Sequence, residues 1–382
     1  MDFTLTEEQQ MLQDSLRRFV DNEYNFDKRS EIIATGKGLD KGTWSALAEM
    51  GLLAFTFPED YDGLGGNAVD TMVVMECFGR GLLVEPYLAT VVLAGGLIRD
   101  AGSDAQKAAL LPAIASGEKL MALAHHEPGN RYNLNRVNTE AKPSNGGYVL
   151  NGRKTAVIHG GQADQLIISA RTSGSAGDAS GQSLFLVDAG ASGLTINDFA
   201  THDGQRTADL VLENVQVPEN ALVGPLDQAA PLIEKAFDLG IAAICAEAVG
   251  AMEALNATTL AYSKERKQFG VPIAKFQVLQ HRMADMFMAA EQARTMAILA
   301  ATNADSDDRE QRRRAISSAK ALIGQYAREL GQSAVQIHGG MGVTEEMFCS
   351  HLFKRLTLIN LQFGNSDYHL EQVSNLLLAE TA

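Results

Sequence analysis

Cysteine is nearly absent: Cys77, Cys245 and Cys349 are the only three in 382 residues, odd in number and widely separated. That spacing excludes a disulfide framework and any C-x-x-C metal or redox centre, and it fits a reducing compartment, so a cytoplasmic protein is expected. Long apolar runs are missing too, since the longest, residues 86–98, is well short of the roughly 20 residues that span a bilayer. The opening Met1-Asp2-Phe3-Thr4 lacks the basic and apolar parts of a secretory leader. Positive charge is in deficit: 32 Lys and Arg face 47 Asp and Glu, for a net charge of -15. Most of the surface therefore repels nucleic-acid phosphates and anionic lipid, which argues against nucleic-acid and membrane partners. An anionic ligand needs a local cationic cluster.

What is present is an ordinary globular composition, 46% hydrophobic and 21% charged, in a chain long enough for two or three domains. Residues 1–118 read as a helical domain. Thr6-Glu7-Glu8-Gln9 forms a capping box, after which Met11, Leu12, Leu16, Phe19 and Val20 fall on one helical face. Further helices are expected over 43–50, stopped by Gly51, and over 69–79 and 104–116. Residues 119–225 change to short β-branched and apolar runs (120–124, 148–150, 165–170, 183–187, 208–217) separated by turns such as Asn145-Gly146-Gly147, which predicts a β-sandwich or barrel. No helix separates these runs, which argues against a parallel dinucleotide-binding sheet. Residues 226–382 return to a helical period, with one helix of roughly 30 residues starting near Pro231, then others over 276–302 and 309–336. The expected fold is α+β: a helical domain, a β domain, then a helical bundle whose spare faces suit oligomer contacts.

Several motifs have plainer readings than their patterns. Gly63-Leu64-Gly65-Gly66-Asn67-Ala68 matches G-x-G-x-x-A, yet no buried strand precedes it, so it reads as a turn. Ser317-Ser318-Ala319-Lys320 matches S-x-x-K inside a helix without the rest of an acylating site. The eight His show no metal-ligand spacing, and Arg312-Arg313-Arg314 reads as a solvated helix face, with a CoA phosphate contact as the alternative. Two helix ends carry more. Arg266-Lys267-Gln268-Phe269-Gly270 puts a planar cation beside an aromatic ring and a permissive Gly, and Gln336-Ile337-His338-Gly339-Gly340-Met341-Gly342 puts an amide before three bare backbone positions. Each alone is a helix stop.

Together, in this order and with this layout, they resemble the acyl-CoA dehydrogenase family over essentially the whole chain, through R-x-x-F-G at Arg266–Gly270 and Q-x-x-G-G-x-G at Gln336–Gly342. Phe57-Pro58-Glu59, Gly65-Gly66, Glu127-Pro128-Gly129 and Asn151-Gly152-Arg153-Lys154 are lesser matches. The resemblance implies FAD as cofactor and oxidation of an acyl-CoA to its trans-2-enoyl form, with a hydride passing to the flavin while a carboxylate removes the α proton. It assigns cofactor contacts to Arg266, Phe269, Gln277, Gln336, Gly339 and Gly340. It lies nearest the small subunits of heteromeric members such as pimeloyl-CoA dehydrogenase.

The same resemblance exposes departures. The family's Y-E-G-T turn reads Phe363-Gly364-Asn365-Ser366, so the base position is Gly364. The alternative base position on the first long C-terminal helix is Gly240, followed by Ile241 where an Arg is usual. No catalytic residue is therefore assigned. Asp238, Glu247 and Asp367 are the nearby carboxylates, none at a family position. The own-chain ring segments T-E-P-G and W-I-T-N read His126-Glu127-Pro128-Gly129 and Ala156-Val157-Ile158-His159. The expectation is a chain that contributes to a partner's FAD site within an α2β2 complex with a larger, base-bearing subunit, acting on a dicarboxyl, alicyclic or steroid side-chain acyl-CoA. Electrons would leave to an acceptor such as electron-transfer flavoprotein. Two readings stay open beside it: a self-sufficient homomeric flavoenzyme with a substitute base or a base-free reaction, and a non-enzymatic acyl-CoA-binding or assembly module.

Overall fold

Local rules account for the first helices. In the computed structural model, which describes residues 4–381, α1 (Glu7–Glu23) opens on the expected box: Thr6 N donates to Gln9 Oε1 at 3.1 Å and Gln9 N to Thr6 Oγ1 at 3.2 Å. Leu16, Phe19 and Val20 are buried as their spacing requires, but Met11 stays 64% exposed. Next come α2 (Phe26–Ala34), α3 (Lys41–Glu49), α4 (Ala68–Gly81), α5 (Gly96–Ala101) and α6 (Asp104–Ala115). Gly51, at φ +76°, stops the turn after α3. A wholly buried π-helix, Leu88–Gly95, precedes α5; apolar except for Thr90, it shows no helical period, which is why the sequence does not announce it.

The strands are β1 (Met121–Ala124), β2 (Glu140–Ser144), β3 (Gly147–Ile158), β4 (Gln165–Arg171), β5 (Gln182–Asp188), β6 (Leu194–Ala200), β7 (Arg206–Pro218) and β8 (Leu222–Val223). They form one sheet in the order β6-β7-β3-β2-β4-β5-β8, with β1 parallel to β4. Leu150, Leu166, Ile168, Phe185, Leu210 and Val215 fill its buried side. The long helix α7 (Ala229–Glu265) is followed by a hairpin of β9 (Lys267–Gln268) and β10 (Val271–Pro272), then α8 (Gln277–Ala304), α9 (Arg309–His338), α10 (Phe348–Leu361) and α11 (Ser366–Thr381).

Two compact units interleave along the chain. One comprises Met1–Ser30, Ala68–Leu83 and Ile241–Ala382, the other Glu31–Asn67 and Val84–Gly240. Within the first, α4 crosses α7 through a double notch: a Cβ on Gly79 would lie 1.9 Å from Glu247 O, and one on Gly250 1.8 Å from Glu76 O. Only glycine permits that approach. Buried alanines on α8 (Ala290, Ala293, Ala297) and α9 (Ala319, Ala327, Ala334) likewise let those helices pack closely.

Candidate active site

The two glycine-bearing helix ends meet in the helical unit. Tyr262, in the last turn of α7, stacks on His338, the last residue of α9, at 4.4 Å and 23°, and its hydroxyl donates to His338 O at 3.2 Å. His338 Nδ1–H is satisfied by Ala334 O at 2.9 Å, and burial lowers its pKa, so the ring is a neutral strut between the motifs. Arg266 follows one turn after Tyr262, its carbonyl accepting from Ile273 N at 2.8 Å to close the hairpin. Phe269 and Gly270 make the hairpin tip, both with positive φ (52° and 81°), and Phe269 is 91% exposed. Such a conformation costs a bulky residue roughly 1–3 kcal/mol and persists only where surroundings or function demand it. Phe269 meets Phe276 edge-on at 6.0 Å, and Gln277, the next residue, opens α8.

Arg266, Gln277 and Gln336 are exposed, and their side chains have no hydrogen-bond partner among the described residues. Gly339 and Gly340 have no atom within 4 Å of where a Cβ would stand. The arrangement presents a guanidinium, two amides, an aromatic face and bare backbone outward, a set suited to a phosphate-bearing ligand.

The turn at Gly364 is the opposite case. Gly364 sits at φ +117°, and a Cβ there would lie 2.5 Å from Tyr368 Cδ1 and 2.6 Å from His369 Nε2. Lys320, fully buried, donates to Gly364 O at 2.7 Å and Asn360 O at 3.0 Å. Burial lowers its pKa to about 8. His369, also fully buried, bonds Phe363 O through Nε2 (3.1 Å) and Ser317 Oγ through Nδ1 (3.2 Å). Burial, with Lys320 adding repulsion, takes that imidazole to about 3. Ser317 and Lys320 of the S-x-x-K pattern thus belong to a sealed structural cluster. Local sequence does not bring Lys320 and His369 together at Gly364; for Lys320 the available sign is a charged residue on the apolar face of a long helical pattern.

The three carboxylates near the base positions are differently disposed. Glu247 is clamped by Arg355 through two bonds of 2.6 and 2.7 Å, both side chains buried. Asp238 is fully buried on α7. Asp367 is exposed in the first turn of α11. Gly240 is buried within α7.

In the sheet unit, Glu127 and Lys154 form a buried pair (2.7 Å). Burial lowers Lys154 to about 8 against the pull of Glu127. Burial would raise Glu127, but Lys154 and hydrogen bonds from Thr139 bring it below its ordinary value. The sequence contained both residues in separate lesser matches without showing that they pair. Ala156 is exposed in a left-handed conformation at φ +51°, its N–H and the Thr155 hydroxyl both committed to Asp209 Oδ1 at 3.0 and 2.7 Å. No ring-facing hydroxyl or aromatic group stands at 156 or 158.

Comparison with known proteins agrees with this layout. Family models match three segments: Acyl-CoA dehydrogenase, N-terminal domain, at residues 6–118; middle domain, at 122–215; and C-terminal domain, at 230–378. The chain is 31% identical to a probable acyl-CoA dehydrogenase, YngJ, of Bacillus subtilis (strain 168), over 99% of this chain and 100% of that one. It is similar in fold to the FAD complex of PigA (TM-score 0.90, 26% identity, all of both chains). It is also similar to the ChsE4-ChsE5 complex of Mycobacterium tuberculosis (TM-score 0.88, 26% identity, all of both chains). No helix among the described residues is long and apolar enough to cross a membrane. The chain belongs to the acyl-CoA dehydrogenase family of FAD-dependent oxidoreductases.

Proposed function

We propose that this chain is the base-lacking subunit of a heteromeric acyl-CoA dehydrogenase, lending cofactor contacts to a partner subunit that carries the catalytic carboxylate. The observation that carries this reading is Gly364: the position holds no carboxylate, and Tyr368 and His369 occupy the space where a side chain would begin. Glu247 is held by Arg355, Asp238 is enclosed, and Asp367 faces solvent. A base must lie within hydrogen-bond reach of the proton it removes; Glu247 and Asp238 are buried in the fold, and Asp367 stands at neither family base position.

Bound FAD supplies the two-electron acceptor for α,β-desaturation of the thioester. The donor set fits that cofactor on this chain's outer side: Arg266 for the pyrophosphate, Gln277 and Gln336 for further polar atoms, Phe269 as an aromatic cover, and Gly339–Gly340 for close backbone approach. The sheet unit lacks the matching ring contacts at 156 and 158. One structural relative is itself a complex of two differently named chains, which supports a heteromeric role. The partner in this reading is the larger subunit of an α2β2 enzyme, the substrate a dicarboxyl, alicyclic or steroid side-chain acyl-CoA, and the onward acceptor an electron-transfer flavoprotein.

The test is FAD content per chain, from flavin absorbance against protein concentration, for the chain alone and co-expressed with a neighbouring dehydrogenase subunit. The expected result is a nearly colourless chain and a yellow, active complex. Full FAD occupancy with acyl-CoA oxidation by the chain alone would overturn the proposal.

A further inference from the structure

Where the sheet unit lacks ring contacts, other rings stand. Thr155 N donates to His126 O at 2.9 Å, so the segment carrying His126 and the segment carrying Ala156 and Ile158 meet at one spot. Phe237, in the third turn of α7, packs there edge-to-face on both histidines, with centroids 5.2 Å from His126 (79°) and 5.5 Å from His125 (77°). The two imidazoles lie 5.8 Å apart. Inserting a planar ring between two others needs about 7 Å, two contacts of ~3.5 Å. All three separations are smaller.

The triad is also fixed from behind. His125 is 1% exposed, with Nδ1 bonded to Ser169 Oγ at 2.9 Å. Ser169 Oγ in turn receives Lys154 Nζ at 3.0 Å, and Lys154 is held by Glu127. Burial, then the nearby Lys154 charge, takes His126 to about 4, so it packs on Phe237 as a neutral ring near pH 7. The His125 ring cannot swing aside without breaking its Ser169 bond, and the His126 ring, whose backbone carbonyl holds Thr155 N–H, is packed between it and Phe237.

We propose that His126 and Phe237 exclude the flavin ring from this chain's own sheet unit, and so decide which subunit of the complex carries FAD. This rests on the half-site reading above and gives it a steric cause in addition to the missing contacts at Ala156 and Ile158. The ligand class is the bare isoalloxazine, so the probe is lumiflavin, which has the ring without the nucleotide tail.

Lumiflavin binding is titrated by fluorescence quenching against the full chain alone in three forms: wild type, His126→Thr/Phe237→Leu, and Ala156→Trp/Ile158→Thr. Circular dichroism checks that each is folded. The cleared variant is expected to bind at least about tenfold more tightly than wild type, the gain of a ring's worth of burial, whereas the contact-restoring variant gains nothing. A folded cleared variant that binds no better than wild type overturns the proposal, and so does a contact-restoring variant that matches it. Should the double change unfold the chain, His126→Thr alone, which keeps Phe237 in the core, decides: a gain of about threefold or more supports the proposal and no gain overturns it. Failure of the half-site reading is seen separately, as wild type already filled with FAD.

Discussion

At the end of the helical unit where α7 reaches α9, Arg266, Gln277 and Gln336 present polar groups outward with no partner among the described residues; at the turn before α11, Lys320, Ser317 and His369 are buried and bonded within the chain. The first region keeps the residues that match the family's helix-end motifs, whereas the second has Gly364 where the family's Y-E-G-T turn has a carboxylate. An exposed, unpaired donor costs little while it waits for a ligand, because water satisfies it. A buried donor is costly unless the protein satisfies it, so the Gly364 turn is committed to the fold. Changes in the first region should therefore show in flavin binding and leave stability alone, and changes in the second should do the reverse.

The largest effect expected is on the buried side. Glu247→Gln leaves the Arg355 guanidinium buried without its carboxylate, and should lower unfolding stability by about 3–5 kcal/mol, measured by denaturant titration. If Glu247 were instead a relocated base, a variant that stayed folded and loaded with FAD would lose on the order of 10² to 10⁴ in turnover.

The next separates the regions by pH. His369 titrates near 3 in the fold against about 6.5 unfolded, so the unfolded chain binds the proton first; its stabilisation is complete above pH 6.5 and is lost as pH falls toward 3. Denaturant midpoints measured across that range should fall by the equivalent of a few kcal/mol, and His369→Gln should remove this share of the slope. His125 and His126 shift in the same direction and leave a remainder.

On the exposed side, Arg266→Ala should weaken FAD retention of the assembled complex by roughly ten- to a hundredfold, the loss of one charge-assisted contact of about 1.5–3 kcal/mol. Arg266→Lys should recover only part of it, lacking the planar fork. Thermal stability should not move; a fall in melting temperature with unchanged flavin would make Arg266 a helix cap and erase the contrast. The smallest effect is expected for Asp367→Asn, which should leave turnover of the complex within about tenfold and stability within about 0.5 kcal/mol.

Much of this was legible in local sequence. The Thr6–Gln9 box, the Gly51 stop and the long helices around Ala-rich interiors depend on neighbours a turn or so away, and they stand where spacing put them. β6 is hard to read locally because its alternation lasts only from Leu194 to Asn197, after which Asp198, Phe199 and Ala200 are all exposed. α2 is short and weakly patterned, and the π-helix is apolar but for Thr90. Of the site, sequence alone determined that the helix-end motifs are present and that Gly364 and Gly240 cannot act as bases, since residue identity settles both.

Only tertiary structure decided what surrounds those residues. Lys320 reaches the Gly364 carbonyl across 44 residues, Arg355 reaches Glu247 across 108, and Phe237 lies on His126 from the far side of the β segment in sequence. Such pairings follow from how helices and strands dock, and docking is set by the summed burial of whole faces, which no short window of sequence contains.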